Sequence, residues 1–306
     1  MPTPTAAPAA SELVEFESLT FPGHLWTPFM PPVAEGTAVT VTAALSIPAS
    51  NGPVPAIALT HGCGSITSGE LAWVDRLNEL GIATLLVHSF GARHIPEVCT
   101  GQYQVNIASM LADAYAALSL LASNPRIDPD RIGIMGLSFG GRTALWASME
   151  RFQEQYGAGD AQFAAYLAFY PASCYLHLQG ETEVSGGPIR IFHGMADDWI
   201  PIGPCQEYIT RLQTAGVDAD LFAYPDAHHS FDDPQATFQT LPNALTPGNC
   251  AFVEQDGRMV DPETGREASI DAACVTRGVS IGYNSAAERQ AVADIEEFLR
   301  DVLKIH

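Results

Sequence analysis

The chain has 306 residues, 47% of them hydrophobic and 16% charged, enough to bury a large core, and no composition break divides it. Acidic residues outnumber basic ones 35 to 14, for a net charge of −21, which argues against nucleic acid and anionic membranes as partners. No apolar run approaches the roughly 20 residues needed to cross a bilayer, so no membrane span is expected.

Residues 1–10, MPTPTAAPAA, lack the positive and apolar regions of an intact signal peptide and read as a flexible tail or as the remnant left after a signal was removed. Residues 11–22 and 38–48 alternate apolar and polar side chains, the pattern of antiparallel strands near a sheet edge. The pattern then changes to short, mostly apolar runs at 55–60, 82–87, 131–135, 163–170 and 188–192, which suit strands buried on both faces. Between them lie amphipathic stretches of helix length, 68–80, 105–123, 141–155 and 204–215, and 286–303 closes the chain. Prolines and an asparagine mark 124–130 as a loop. This alternation predicts a mostly parallel sheet with helices on both faces, in a single α/β domain over 11–306. Residues 232–286 break the alternation. They are rich in turns, and FVEQ and RMV flank Asp256-Gly257, a hairpin signal, so the segment reads as an insertion before the last helix.

In open sheets of this kind the chemistry sits at the carboxyl ends of the strands. The run 131–135 leads into Gly136-Leu137-Ser138-Phe139-Gly140 and then directly into a helical stretch. That is the strand, G-x-S-x-G, helix layout of a nucleophile elbow. Glycines belong there because the chains before and after the serine pass too closely for side chains at Gly136 and Gly140. An ester-cleaving serine also needs a base, an acid that orients the base, and N–H groups facing the developing oxyanion. Asp197 follows the strand 188–192, and His229 follows a strand-like stretch at 218–224. The order Ser138, Asp197, His229 is the chain order of α/β-hydrolase triads. The oxyanion donors are expected to be the N–H of Phe139 and, from the loop after 55–60, that of Cys63, with Gly62 letting the backbone approach.

With these motifs the chain resembles the dienelactone hydrolase family of α/β-hydrolases, in a serine-bearing branch. The resemblance rests on HGCGS at 61–65, SFGARHIPEVC at 89–99, GLSFGG at 136–141, GMADDWIP at 194–201 and YPDAHHSF at 224–231. It implies an α/β-hydrolase fold, with Asp197 as the first carboxylate of D-x-x-(V/I)-P and His229 two residues before the phenylalanine of H-x-F. The family's namesake enzymes carry a cysteine nucleophile where this chain has Ser138, which favours ordinary carboxylic esters over dienelactone. His88-Ser89 and Arg93-His94 stand where related members carry Asp-Ser and Arg-Gly, so His88 and His94 are expected to reshape the pocket. Asp198 and His228 are alternatives to Asp197 and His229, and His61 reads as a structural histidine of the oxyanion loop. Arg93 is a candidate for binding a substrate carboxylate, or else forms an ion pair supporting its loop, and Trp199 is a candidate for lining the acyl pocket. No cysteine–histidine grouping has zinc-like spacing, so neither metal nor other cofactor is expected.

The cysteines can then be paired. Cys63 and Cys99 lie in adjoining loops over the proposed site, Cys174 and Cys205 each follow a strand at the same edge, and Cys250 and Cys274 bracket the hairpin. Three disulfides are therefore expected, and with them an oxidising compartment, periplasmic or secreted. The expected function is hydrolysis of a small-molecule or polymeric carboxylic ester through an acyl-enzyme, by a monomer or homodimer. Two other readings are a serine peptidase of the prolyl-oligopeptidase type, though the chain lacks the usual propeller, and a non-catalytic binding protein on the same scaffold. The acidity fits either a salt-adapted source or an ordinary acidic protein.

Overall fold

A computed structural model of the chain describes residues 11–23, 33–101, 104–157 and 159–305. The expected flexible tail, 1–10, lies outside the described residues. Alternation in the first two segments produces β1 (Ser11–Thr20) and β2 (Thr37–Ser46), which pair antiparallel with Phe16 opposite Val41. On β2 the inward side chains Val41, Ala43 and Leu45 are buried while Thr40, Thr42 and Ala44 between them are not, as a strand with one face on the core requires.

The α/β alternation follows as expected. The elements are β3 (Val54–Thr60), α1 (Ser68–Glu79), β4 (Ala83–His88), α2 (Ile107–Ser123), β5 (Ile127–Leu137), α3 (Phe139–Trp146), α4 (Glu150–Tyr156), β6 (Ala165–Phe169), the two-residue β7 (Leu176–His177), β8 (Ile189–Gly194), α5 (Ile202–Thr214) and β9 (Ala219–Tyr224). One eight-stranded sheet has the order β1-β2-β4-β3-β5-β6-β8-β9, parallel from β4 to β9. Its central strands have two buried faces: Ala56, Ala58, Ile132 and Ile134 join a core under α2, α3 and α5, whereas Ile57, Leu59, Met135 and Leu137 face α1 and the last helix. Purely apolar runs are the sequence form of that double burial.

Two boundaries depart from expectation. Residues 127–130, expected in a loop, belong to β5, because Ile127 pairs with Val54 before the chain makes an irregular excursion and rejoins β3 at Ile132 opposite Ala56. The single helix expected over 141–155 is two helices. Between them Ser148 O accepts Ser185 N–H and Met149 bridges Val184, so the backbone turns to a neighbouring segment instead of to its own helix.

The segment 232–286 contains the expected hairpin, β11 (Phe252–Gln255) and β12 (Arg258–Val260), whose turn residues Asp256 and Gly257 have φ of 49° and 73°. Positive φ at both turn positions is what Asp-Gly supplies at low cost. On either side of the hairpin, β10 (Gln239–Thr246) and β13 (Thr276–Ile281) form an antiparallel pair that the sequence pattern did not indicate. The closing helix α6 (Ser285–Val302) is capped by Asn284, which accepts from the N–H groups of Ala286 and Ala287.

Candidate active site

Ser138 sits between β5 and α3 with φ 55° and ψ −107°, a strained conformation for a non-glycine residue. The glycines around it follow from sterics: a Cβ on Gly136 would collide with the Gly140 carbonyl, and one on Gly140 with the Thr60 carbonyl. Substitution at either position forces backbone apart.

His229 Nε2 lies 2.9 Å from Ser138 Oγ, and His229 Nδ1 lies 2.8 Å from Asp197 Oδ2. The other Asp197 oxygen, Oδ1, accepts the N–H groups of Trp199 and Ile200, each at 2.9 Å. Burial opposes a charge on Asp197, but the field and hydrogen bond of His229, with His193 and the Ile200 N–H, outweigh it and hold the carboxyl below its ordinary range. The His229 ring contacts both Tyr170 (centroids 4.4 Å apart, planes at 52°) and Trp199 (4.8 Å, 45°).

The other candidates separate cleanly. Asp198 accepts the Ser280 N–H at 2.7 Å, and His228 packs on Phe238 with ring centroids 5.0 Å apart, so neither takes part in the contacts of Asp197 and His229. His61 is fully buried, its Nδ1 2.8 Å from Gly62 O and its ring 4.4 Å from that of Phe90, and burial lowers its pKa to about 4. It is a neutral support of the loop at physiological pH.

Phe139 opens α3, where an N–H has no acceptor within the helix. Gly62 faces the serine closely enough that a Cβ on it would stand 3.7 Å from Ser138 Cβ. Three contacts hold this loop: Gly62 N–H donates to Glu70 Oε1 (3.0 Å), Val98 N–H donates to Cys63 O (2.8 Å), and Cys63 is disulfide-bonded to Cys99. Glu70 is buried, and its Oε2 accepts the N–H and hydroxyl of Thr67, so the N-cap of α1 also fastens the loop of Gly62 and Cys63. The other expected disulfides, Cys174–Cys205 and Cys250–Cys274, are present too.

A cavity of about 200 Å³ opens over Ser138, lined by Gly62, Cys63, Tyr170, Trp199 and His229 and, from the insertion, Asp233, Ala236, Leu241 and Ile281. Trp199 is in the wall, fixed by its indole N–H to Leu245 O at 3.0 Å. Of the two readings of Arg93 the supporting ion pair is the one present, and the expectations for His88 and His94 are corrected. Arg93 does not line the cavity: all its N–H donors are engaged, in five hydrogen bonds to Thr20 Oγ1, Ser89 O, Leu19 O and both oxygens of Asp113, which ties β1, the 91–93 turn and α2 together. It has no donor left for a substrate carboxylate. His88 is turned toward Ser65 Oγ at 3.3 Å, and His94 is exposed, so neither shapes the cavity wall.

Sequence reasoning missed Tyr170, Glu70 and Asp232. Tyr170 OH donates to Asp232 Oδ1 (2.6 Å), and Trp73 Nε1–H donates to Asp232 Oδ2 (2.7 Å). The Thr67-x-x-Glu70 spacing is a capping-box signature that could have flagged Glu70. Nothing local links Tyr170 to His229.

Comparison with known proteins agrees with this architecture. A solved dienelactone hydrolase-like promiscuous phosphotriesterase from metagenomic libraries superposes with a TM-score of 0.59 at 14% identity, covering 96% of this chain and 99% of that one. Thermogutta terrifontis esterase 2, solved phosphorylated by paraoxon, gives 0.57 at 17% identity, covering 93% and 96%. These similarities establish the α/β-hydrolase fold. In sequence, a Synechocystis sp. protein assigned as a carboxymethylenebutenolidase is 28% identical over 132 residues, 42% of this chain and 51% of that protein. The probable isoprenylcysteine alpha-carbonyl methylesterase of Arabidopsis thaliana is 24% identical over 228 residues, covering 59% and 46%. The chain spans about half the length of these curated relatives. The dienelactone hydrolase family model matches residues 88–303, most of the chain and all three of Ser138, Asp197 and His229, and the protein belongs to that family of hydrolases.

Proposed function

We propose that the protein is a serine carboxylesterase working through an acyl-enzyme. The observation that carries this reading is the unbroken hydrogen-bonded series from Ser138 Oγ through the His229 imidazole to Asp197, at 2.9 and 2.8 Å, beneath an open cavity. His229 takes the proton of Ser138 through Nε2 as the hydroxyl oxygen attacks the ester carbonyl carbon. Asp197 keeps Nδ1 protonated and stabilises the imidazolium that forms. The N–H groups of Phe139 and Cys63 stabilise the oxyanion, which needs no reorganisation because Glu70 and the disulfide already hold the loop. The tetrahedral intermediate collapses, the alcohol leaves with the proton from His229, and water activated by the same nitrogen releases the acid.

The test is twofold. Ser138→Ala is expected to leave p-nitrophenyl butyrate hydrolysis at background. Paraoxon, which phosphorylates the Thermogutta esterase, is expected to add one phosphoryl group to the wild type and none to the variant, read by intact mass. Full turnover by Ser138→Ala removes the mechanism.

The three disulfides support residence in a non-reducing compartment, the periplasm or the exterior. Intact protein taken without reduction is expected to resist alkylation at all six cysteines. Six alkylated thiols would end that part of the reading.

A further inference from the structure

The lining of the cavity over Ser138 is unbalanced in charge. Among the described residues it includes the carboxylates of Glu70 and Asp233 and no arginine or lysine. The arginines that come near the site in sequence or along the sheet are not in the lining. Arg93 has its five hydrogen bonds to β1, α2 and its own turn. Arg142, one turn after Ser138 on α3, is fully buried; its Nε and Nη2 donate to Ala172 O and Tyr175 OH, its Nη1 has no hydrogen-bond partner among the described residues, and it does not reach the cavity lining. Arg277, on the strand that ends at Ile281, donates to the carbonyls of Thr100 and Asn243. Asp233 is fixed in place, because its Oδ1 accepts from Ser68 Oγ at 2.5 Å and from Gln235 N–H at 3.0 Å. Besides the uncharged polar side chains of Thr67, Ser138 and Ser230 and the His229 ring, the wall is largely apolar or aromatic, with Leu137, Tyr170, Trp199, Leu241 and Ile281.

We infer that this pocket selects its ester by charge, accepting uncharged acyl groups and rejecting those that carry a carboxylate, with Asp233 as the specificity-determining residue. The inference rests on the esterase reading above and adds to it the class of substrate. A second carboxylate drawn into a cavity of about 200 Å³ loses its water and finds no cation to replace it. It also meets like charge across a partly dehydrated gap, where repulsion is several times stronger than in bulk water. The whole-molecule charge of −21 acts in the same direction on the approach of anions, but over a longer range that salt screens. The two contributions can therefore be separated.

The experiment compares p-nitrophenyl valerate with mono-p-nitrophenyl glutarate, in which a carboxylate replaces the terminal methyl, at low salt and at about 1 M salt, where screening acts within about 3 Å. The expected result is a kcat/KM for the glutarate lower by on the order of tenfold or more, with most of the gap surviving high salt. Asp233→Asn is expected to narrow the glutarate-to-valerate gap several-fold, and Leu241→Lys, which introduces a cation from the insertion, to narrow or invert it. Equal kcat/KM for the two esters in the wild type, with both activities lost in Ser138→Ala, overturns the charge selection and leaves the esterase reading intact. A gap that vanishes at 1 M salt, or one that folded Asp233→Asn and Leu241→Lys proteins both leave unchanged, overturns the role of the pocket. Hydrolysis that does not depend on Ser138 overturns the esterase reading and this inference together.

Discussion

Tyr170 and His229 face each other with ring centroids 4.4 Å apart, while the tyrosine hydroxyl donates to Asp232 Oδ1 at 2.6 Å. Asp232 in turn accepts the indole N–H of Trp73 on α1, so the wall behind the histidine is anchored in the helix layer. Removing the hydroxyl and removing the ring are therefore expected to have different effects. Tyr170→Phe leaves a buried carboxylate short of a donor and should cost about 1–3 kcal/mol of stability with a small effect on turnover. Tyr170→Ala also frees one face of His229 and should lower kcat about tenfold or more. Urea unfolding and p-nitrophenyl butyrate kinetics on both variants distinguish the two roles; unchanged kcat in Tyr170→Ala would dismiss the ring as a positioning element.

Asp232 makes stability depend on pH. Burial pushes its pKa up to about 6, against the hydrogen bonds from Tyr170 and Trp73 that favour the carboxylate. The ordinary value is 3.8, so between about pH 4 and pH 6 the folded state holds a proton that the unfolded state has released. Stability from this group is therefore greatest near pH 4 and falls as pH rises through 6, by on the order of 3 kcal/mol. Asp232→Asn should remove that slope. The measurement is unfolding free energy for wild type and variant across this window, and parallel profiles would contradict it.

Glu70 is expected to matter for turnover although its hydrogen bonds are to Gly62 and Thr67 and not to Ser138, His229 or Asp197. Its Oε1 holds the Gly62 N–H, and Gly62 precedes the proposed oxyanion donor Cys63. Glu70→Ala releases both the loop and the N-cap of α1. A loss of about 1–3 kcal/mol in stability is expected from the cap and the freed donors. A fall in kcat of tenfold or more, with KM nearly constant, is expected from a mis-set oxyanion donor. If KM rises while kcat holds, the loop binds substrate and does not stabilise the oxyanion.

The Cys63–Cys99 bridge closes a 36-residue separation beside the serine, whereas Cys250–Cys274 closes 24 residues around the hairpin. Replacing either pair with serines should lower stability by about 2–4 kcal/mol. Cys63→Ser with Cys99→Ser keeps the Cys63 main-chain N–H but removes one of its restraints, so it should lower kcat more than the Cys250→Ser, Cys274→Ser pair does. Thermal melts and ester kinetics on the two double variants would show it. Equal kcat losses would mean that the bridge over the site has no special part in holding the oxyanion loop.

Legibility in the sequence followed locality. The elbow could be read because its requirements lie within six residues, Gly136 to Gly141 with glycines at 136, 140 and 141, and the strand and helix on either side have their own periodicities. The α/β alternation was readable because double burial leaves apolar runs. The β10–β13 pair was not, because QTLPNALT and TRGVSI have mixed polarity and form a strand pair largely through contact with each other and with the site wall. Arg93 illustrates the same limit. Its type and position suited a carboxylate ligand equally well, and only the approach of Leu19, Thr20 and Asp113, from distant parts of the chain, engaged its guanidinium.

Read alone, the sequence determines the class of the molecule: a doubly covered parallel sheet, a serine at a strand-to-helix turn, and Asp197 and His229 after later strands in the hydrolase order. Each of these rests on short-range sterics or on burial periodicity, which act between neighbours in the chain. The tertiary structure decides what no neighbour specifies. It sets His229 against Tyr170 and Trp199, fastens the Gly62 loop to Glu70 of α1, engages Arg93 in a buried ion pair with Asp113, and brings residues of the 232–286 segment over the serine as a cavity wall. Those contacts depend on packing between segments far apart in sequence, where distance and direction in space carry the information.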